Sequence, residues 1–418
     1  MLDATAADIF RSRSTLARGC RRLGTIEINR RQLLRMGGTA ALSVAAPALA
    51  AAESEPRRRV RFPEKADLIL LTDRPPQLET PLHYFRQDLT PNEAYFVRWH
   101  MAAVPTRVDL ASFRLIVDGA VETPLSLSVA DLRRDFEQVS FIALNQCSGN
   151  SRSFFTPRVA GSQWKHGAMG NARWTGIRLR DLLARAGLKG DVTDIAISGL
   201  DGSPMPGLPK MRKALSVDHA NDGDILIAYL MNGTALPMLN GFPLRLVVPG
   251  WYATYWIKAL HHVEARTTPL HNVWMDTAYR VPDNATANES EDALAKTTVP
   301  INRFSIHSIF VRPEPGETLP LGRPYQLEGL AMDSGHGITA VEVSMDGGRT
   351  WLPAVLDPDL GRFSWRRWRL AWTPGASGPY RLKVRATNKA GEEQLTAQWN
   401  HGGYARRVIE ETSGMVTG

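Results

Sequence analysis

Cys147 lies in the stretch NQCSGNSR, residues 145–152, and is one of only two cysteines in a 418-residue chain, the other being Cys20. A thiol with no ready partner, in a polar turn that contains Gly149, has three readings. It is a small buried hydrophobe, as most free cysteines are. It is a nucleophile, which requires a positioned base. Or it is a soft thiolate ligand for a metal whose other ligands come from a cofactor. Zinc fits poorly, because it takes three or four Cys, His or carboxylate ligands at recognisable spacings, and the adjacent His261 and His262 would face opposite sides of a strand. Gly149 permits a sharp turn and the close approach of something large.

Cations accompany the thiol. Arg152 follows it by five residues, and Arg98 sits in YFVRWH. A guanidinium holds an oxyanion through a charge-assisted fork, or it lies in a surface ion pair. Arg245 and Lys258 flank LVVPGWYATYWI, a stretch too aromatic for an ordinary loop. Trp251, Tyr252, Tyr255 and Trp256 are either core or, with a cation at each end, the walls of a phosphate site.

The elements that must position these groups are mixed up to about residue 300. FRLIVDG (113–119) alternates as a strand, and VSFIALNQ (139–146) is an apolar strand that ends at Cys147. SVADLRRDF (128–136) opens a helix on Ser128 with Asp131 three residues on. LRDLLARAG (179–187) is a short helix that Gly187 stops. FPLRLVVPG (242–250) is a strand closed by Pro-Gly. Residues 53–95 are proline-rich and charged and read as an extended arm wrapped on a domain, with Arg57, Arg58 and Arg59 as a solvated run. From about 301 the pattern is all-β: AVEVSMDGGRTWLPA (340–354) is a hairpin with Val341, Val343 and Met345 on one face. PYRLKVRATNKAGE (379–392) turns Tyr380, Leu382, Val384 and Ala386 inward and Arg381, Lys383 and Arg385 outward. Such strands point to an immunoglobulin-like sandwich.

Composition is that of a globular protein, 43% hydrophobic and 22% charged. The net charge of +8 is concentrated at the start: residues 1–52 carry eight arginines against three acids, so +5, which leaves +3 for the rest. No basic block of the kind a nucleic-acid binder needs remains. Arg30 and Arg31, followed by the weakly apolar run MGGTAALSVAAPALAAA, read as a twin-arginine export signal with cleavage before Ala51. That address implies a periplasmic protein exported already folded. An oxidising periplasm discourages a spare exposed thiol.

YFVRWH, LNQCSGNSR, GAMGNARWTGIRLRDLL, LNGFPLRLVVPGWYATYWIK and NVWMDTAYR together resemble the sulfite oxidase family of molybdenum enzymes, over about residues 80–410. Within it the chain is similar to bacterial periplasmic sulfite dehydrogenases and to the large subunit of the sulfane dehydrogenase of the thiosulfate-oxidising system. The resemblance implies an α+β, β-rich chain. Residues 1–52 are the signal peptide, 53–300 a molybdopterin-binding catalytic domain with its N-terminal arm, and 301–418 an immunoglobulin-like dimerisation domain. It implies that Cys147 ligates molybdenum beside a molybdopterin, and that Arg98 and Arg152 form the substrate anion pocket. Trp164 would line that pocket, and Tyr279 would contact the substrate. His100, Arg245 and Lys258 would hold the pterin and its phosphate. Gly402 stands where vertebrate members carry a pocket arginine, for which Arg406 is a candidate substitute, and Asn240 stands where they carry a pterin-contacting histidine.

The implied activity is oxidation of sulfite to sulfate by oxygen-atom transfer. Oxidation of protein-bound sulfane sulfur is the nearest alternative. A periplasmic molybdenum reductase for oxidised methionine and a non-enzymatic binding module are further ones. With two cysteines far apart the chain has no C-x-x-C-H haem attachment, and a haem domain would need roughly 80–100 more residues before the catalytic domain. A separate c-type cytochrome is therefore expected as electron acceptor, with the chain in a homodimer or a hetero-oligomer.

Overall fold

The structure is a computed structural model that describes residues 57–203, 207 and 209–418. The expected export signal and cleavage site, with Cys20, lie outside the described residues. Among the described residues no helix is long and apolar enough to cross a membrane.

The first half is built on two five-stranded sheets. In one, Leu260–Arg266 lies between Asp194–Gly199 and Leu115–Gly119, pairing antiparallel with the former and parallel with the latter. The other carries the site. Val139–Gln146 pairs antiparallel along its whole length with Met169–Arg178, from Val139 opposite Gly176 to Gln146 opposite Met169. Leu226–Met231 covers the far side of that hairpin, and Arg245–Val247 pairs with it in turn. Much of this sheet is buried, with Ala172, Trp174, Ile177, Leu226, Ile227 and Ala228 in the core, and its site end also buries Asn145, Gln146 and Asn171.

The two short helices start and stop where local chemistry dictates. Val129–Asp135 has a full capping box: Ser128 accepts from the Asp131 amide and Asp131 accepts from the Ser128 amide. Leu179–Ala186 ends at Gly187, whose φ of +69° is open to glycine at little cost.

Two expectations need correction. Residues 59–98 are not a simple extended arm. Arg59–Arg61, Asp67–Thr72, Gln77–Glu79 and Val97–Arg98 form an antiparallel four-stranded sheet with its own core of Leu68, Leu78, Val97 and Trp99. The Arg57–Arg59 run is not uniformly solvated either. Arg58 and Arg59 are exposed, but Arg57 Nη1 pairs at 2.6 Å with Glu79, which is 2% exposed.

The second half is a sandwich. One sheet holds His307–Arg312, Tyr325–Met332, Arg366–Trp372 and Val355–Leu356. The other holds Thr318–Pro320, Glu410–Thr417, Gly378–Asn388, Ile338–Ser344 and Leu352–Pro353. Phe310, Leu327 and Trp368 from the first meet Val343, Leu382 and Val384 from the second in one core. Tyr380, Leu382, Val384 and Ala386 point inward and Arg381 outward, as their alternation predicts. Ser344 departs from its alternation: it is buried because its hydroxyl accepts from the Gly348 amide and closes the hairpin turn.

A further cluster joins the halves. Leu144, Met169, Tyr252 and Phe304 pack with Ile309, Leu330, Met332 and Trp365 of the sandwich.

Candidate active site

Cys147 sits where the strand Val139–Gln146 gives way to a turn, and it is 8% exposed. The turn is strapped to the segment 162–168. The Cys147 amide donates to Ala168 O at 2.9 Å, Ser151 N to Lys165 O at 2.7 Å and Ser153 N to Trp164 O at 3.0 Å. Asn150 Oδ1 accepts from the Ala168 amide at 2.9 Å. Ser151 holds φ at +68°, a left-handed value that costs a serine energy and therefore reflects imposed geometry.

Two chambers meet at Cys147, with Arg98, Ser148 and Tyr279 shared between them. The inner one encloses about 390 Å³ of atom-free space, and Cys147, His100, Asn240, Arg245, Thr254 and Lys258 line it. The outer one holds about 760 Å³ and is lined by Arg152, Trp164, His401, Gly402 and Tyr404. All eight residues singled out from the sequence thus fall in the two chambers: Arg98, His100, Cys147, Arg245, Lys258 and Tyr279 in the inner, Arg152 and Trp164 in the outer.

The inner chamber is a pool of buried positive charge. Arg245 donates to Asn240 O and Asn145 Oδ1, each at 3.1 Å, and lies over the rings of Trp174 and Trp256. Burial brings it down to about 10. Lys258 sits 4.8 Å over Trp99. Burial first, and then Arg245 and Arg98, bring it down to about 7 against the opposing pull of Asp201. Lys65 hydrogen-bonds Asn240 Oδ1 and is brought down to about 7, again chiefly by burial. His100 is pushed well below its usual value by burial and by Arg98, Lys258 and Lys213, so its ring is neutral. That ring is hydrogen-bonded to the Tyr279 hydroxyl. Burial holds the Tyr279 phenol well above its ordinary value, hence protonated. Tyr279 has φ of +58°, another non-glycine residue in the left-handed region.

Arg152 lies in a slot walled by glycines from three segments. A Cβ on Gly149 would fall 2.7 Å from its Cζ, one on Gly161 2.7 Å from its Nη1, and one on Gly403 2.9 Å from its Nε. Its Nη2 donates to Gly402 O at 3.0 Å, and the Tyr404 ring lies 4.9 Å from its Cζ. Tyr404 in turn stacks on Tyr279 at 5.6 Å. Arg406 does not take the place of the pocket arginine. It lines neither chamber, and its guanidinium is bound to Glu410.

Tyr404, His401, Lys65 and Glu79 escaped the sequence reading. The Gly402-Gly403 pair just before Tyr404 marks a turn and was the one available signal. Glu79 accepts from the Lys165 and Gly167 amides at 3.3 and 3.1 Å, so with Arg57 it braces the loop that carries Trp164.

Such a site, at the end of a β-rich domain joined to a sandwich, defines an oxidoreductase built around molybdopterin. Residues 100–274 match the oxidoreductase molybdopterin binding domain family, and residues 298–400 match the Mo-co oxidoreductase dimerisation domain family. Sulfite oxidase from Gallus gallus is 36% identical over 296 residues, which are 68% of this chain and 62% of that protein. Nitrate reductase from Hordeum vulgare is 31% identical over 280 residues, 63% of this chain and 31% of that protein. The crystal structure of the sulfane dehydrogenase SoxCD from Paracoccus pantotrophus shares the fold, with a TM-score of 0.72, 23% identity, and coverage of 91% of this chain and 94% of that one. The chain carries both domains of a molybdopterin oxidoreductase, is similar to sulfite oxidases, and spans less than two thirds of the length of these curated relatives.

The residues present fit that cofactor. Four buried polar atoms that line the inner chamber have no protein partner: Arg98 Nη1, Arg245 Nε, Ser148 Oγ and Thr254 Oγ1. Buried polar groups normally find partners, and these four belong to residues that border one space beside a thiol. The set suits an anionic, phosphate-bearing group with a soft metal end.

Proposed function

We propose that the protein oxidises sulfite to sulfate, with Cys147 as the protein's ligand to molybdenum and with Arg98 and Arg152 as the anion-binding pair. The reading is carried by one observation: the inner, cation-lined chamber and the outer, arginine-bearing chamber share a wall that holds Cys147 beside Arg98, Ser148 and Tyr279. When bound, the molybdopterin supplies two-electron oxygen-atom transfer chemistry. The chain's own residues do the rest. Arg245 and Lys258 hold the cofactor's phosphate, and His100 orients the Tyr279 hydroxyl. Arg98 and Arg152 draw in the oxyanion, and the charge of the buried Arg152 counts for more there than in bulk water. Trp164 and Tyr404 narrow the approach. Both substrate and product are anions, so a guanidinium pair that is held rather than mobile needs no reorganisation during turnover.

A second reading, oxidation of sulfane sulfur carried on a protein, draws on one feature. The outer chamber is open, and Gly402 rather than a third guanidinium lines it. Electrons would leave to a separate c-type cytochrome, in a homodimer or a hetero-oligomer, in the periplasm. Purification from the periplasmic fraction, molybdenum analysis, and parallel assays with sulfite, nitrate and a persulfidated carrier protein test this. About one molybdenum per chain with cytochrome c reduction by sulfite is expected. Turnover confined to nitrate or to the persulfide would overturn the sulfite reading.

A further inference from the structure

Behind the outer chamber lies a buried polar cluster that none of the roles above uses. Arg406 Nε and Nη2 donate to the two oxygens of Glu410 at 2.7 and 3.3 Å, and Nη1 donates to Phe154 O at 3.0 Å. Glu410 Oε1 is also 2.9 Å from His307 Nε2. The His307 ring lies 6.1 Å from that of His166, whose Nδ1 is 2.8 Å from Ser151 Oγ. Phe154 stacks on His166 at 4.6 Å. His166, His307, Glu410 and Ser151 are all buried.

The ligating atoms of His166, His307 and Glu410 come within 4.8 Å of one another, as around a metal ion. A cation there would face a guanidinium that already forks onto the carboxylate, so the positive charge of the cluster is built in. What the cluster does join is three parts of the chain. His307 begins a strand of one sandwich sheet and Glu410 begins a strand of the other. Ser151 is the left-handed residue in the turn between Cys147 and Arg152.

We infer that Arg406 is a positioning residue: by neutralising Glu410, which holds His307 against the His166 ring, it keeps the His166–Ser151 hydrogen bond in one arrangement and holds the Arg152 turn in its anion-binding form across pH. The inference rests on the proposed oxyanion chemistry of Arg152. In the Nε2–H tautomer of neutral His166, Nδ1 accepts the Ser151 hydroxyl proton, whereas a protonated ring only donates at that nitrogen. Protonation would therefore reverse the bond to the turn.

The charged and titratable groups around His166 are Glu410, His307, Arg406 and Lys165, with the Arg57–Glu79 pair bracing its loop. Burial holds His166 down at about 4, His307, Arg406 and Lys165 push the same way, and Glu410 alone opposes. Burial would raise Glu410, but the His307 hydrogen bond and the Arg406 charge keep it ionised. Without Arg406, an unbalanced carboxylate faces two imidazoles.

The test compares wild type, Arg406→Met, Arg406→Lys and the double variant Arg406→Met/Glu410→Gln, as holoenzymes, by sulfate-binding calorimetry and histidine-labelled NMR from pH 5 to 8. In Arg406→Met the His166 signal should titrate roughly one pH unit higher or more, and sulfate Kd should rise about twofold or more by pH 5 as the ring protonates. The Lys variant and the double variant, which restore charge balance, should return to the flat wild-type profile. A profile in Arg406→Met that matches wild type overturns the inference. If Arg406→Met does not fold, a sloping profile in the double variant overturns it and a flat one supports it. These readouts do not depend on turnover, so a protein that fails to oxidise sulfite defeats the sulfite assignment without deciding the role of Arg406.

Discussion

At the scale of single residues, the proposed chemistry rests on a soft sulfur and two guanidinium groups. Serine in place of Cys147 keeps the size and replaces a soft donor with a hard one. Cys147→Ser should fold, retain pterin, and lose more than about 100-fold in turnover, measured as pterin fluorescence after oxidative release alongside sulfite oxidation. Full turnover would remove Cys147 from the metal. Arg152→Met deletes charge-assisted bonds but leaves the hydrophobic stem. At about 1.5–3 kcal/mol for such a contact, KM for sulfite should rise roughly 10- to 100-fold, with a melting temperature close to wild type. Arg98→Met should act alike. An unchanged KM in both would show that the anion binds elsewhere.

At the scale of elements, Arg152 is seated not by its own turn alone but by two other segments as well. Gly149 comes from the Cys147 turn, Gly161 from the loop that Glu79 and Arg57 brace, and Gly403 from the chain tail. Gly161 has φ of +102° and no room for a methyl group next to Nη1. Gly161→Ala should therefore displace the guanidinium as well as strain the backbone. The expected result is a stability loss of about 1–2 kcal/mol together with a raised KM. A stability loss with KM unchanged would mean the slot is structural only. The N-terminal sheet belongs to the same scale, since Lys65 reaches from it to Asn240 in the inner chamber.

At the scale of the whole molecule, charge and packing link the halves. The inner chamber gathers Lys258 and neighbouring Lys65 and Lys213, each lowered from 10.5 to about 7 mainly by burial. In cofactor-free protein the unfolded chain therefore binds more protons than the folded one between pH 7 and 10.5. Stability should rise with pH through that window, and these groups should contribute no further change below it. Urea midpoints at pH 7, 8 and 9, on protein from a host that makes no molybdopterin, check the sign. Millimolar pyrophosphate should raise the midpoint more at pH 7 than at pH 9, because it pairs with ammonium groups that have lost their charge at the higher pH. A midpoint that falls from pH 7 to pH 9 would contradict the charge pool.

Much of this protein was readable in order along the chain. The helix start at Ser128, its stop at Gly187 in the second helix, the strand that delivers Cys147 and the alternation of Tyr380 to Ala386 all arise from neighbours a few positions apart. So does the motif set that marks the family, because its cations and aromatics are clustered in short runs around Cys147 and Lys258. What the tertiary structure alone decided is which distant groups share a space. Arg152 and the Gly402 carbonyl are 250 positions apart, and His307 and Glu410 are 103 apart. Arg406 and Glu410 are only four positions apart, but the burial of Glu410 against His307, which fixes Arg406 away from the pocket, is not a local matter. Contacts of that kind depend on how two sheets and a sandwich pack, and packing is set by the sum of many buried side chains rather than by any run of residues.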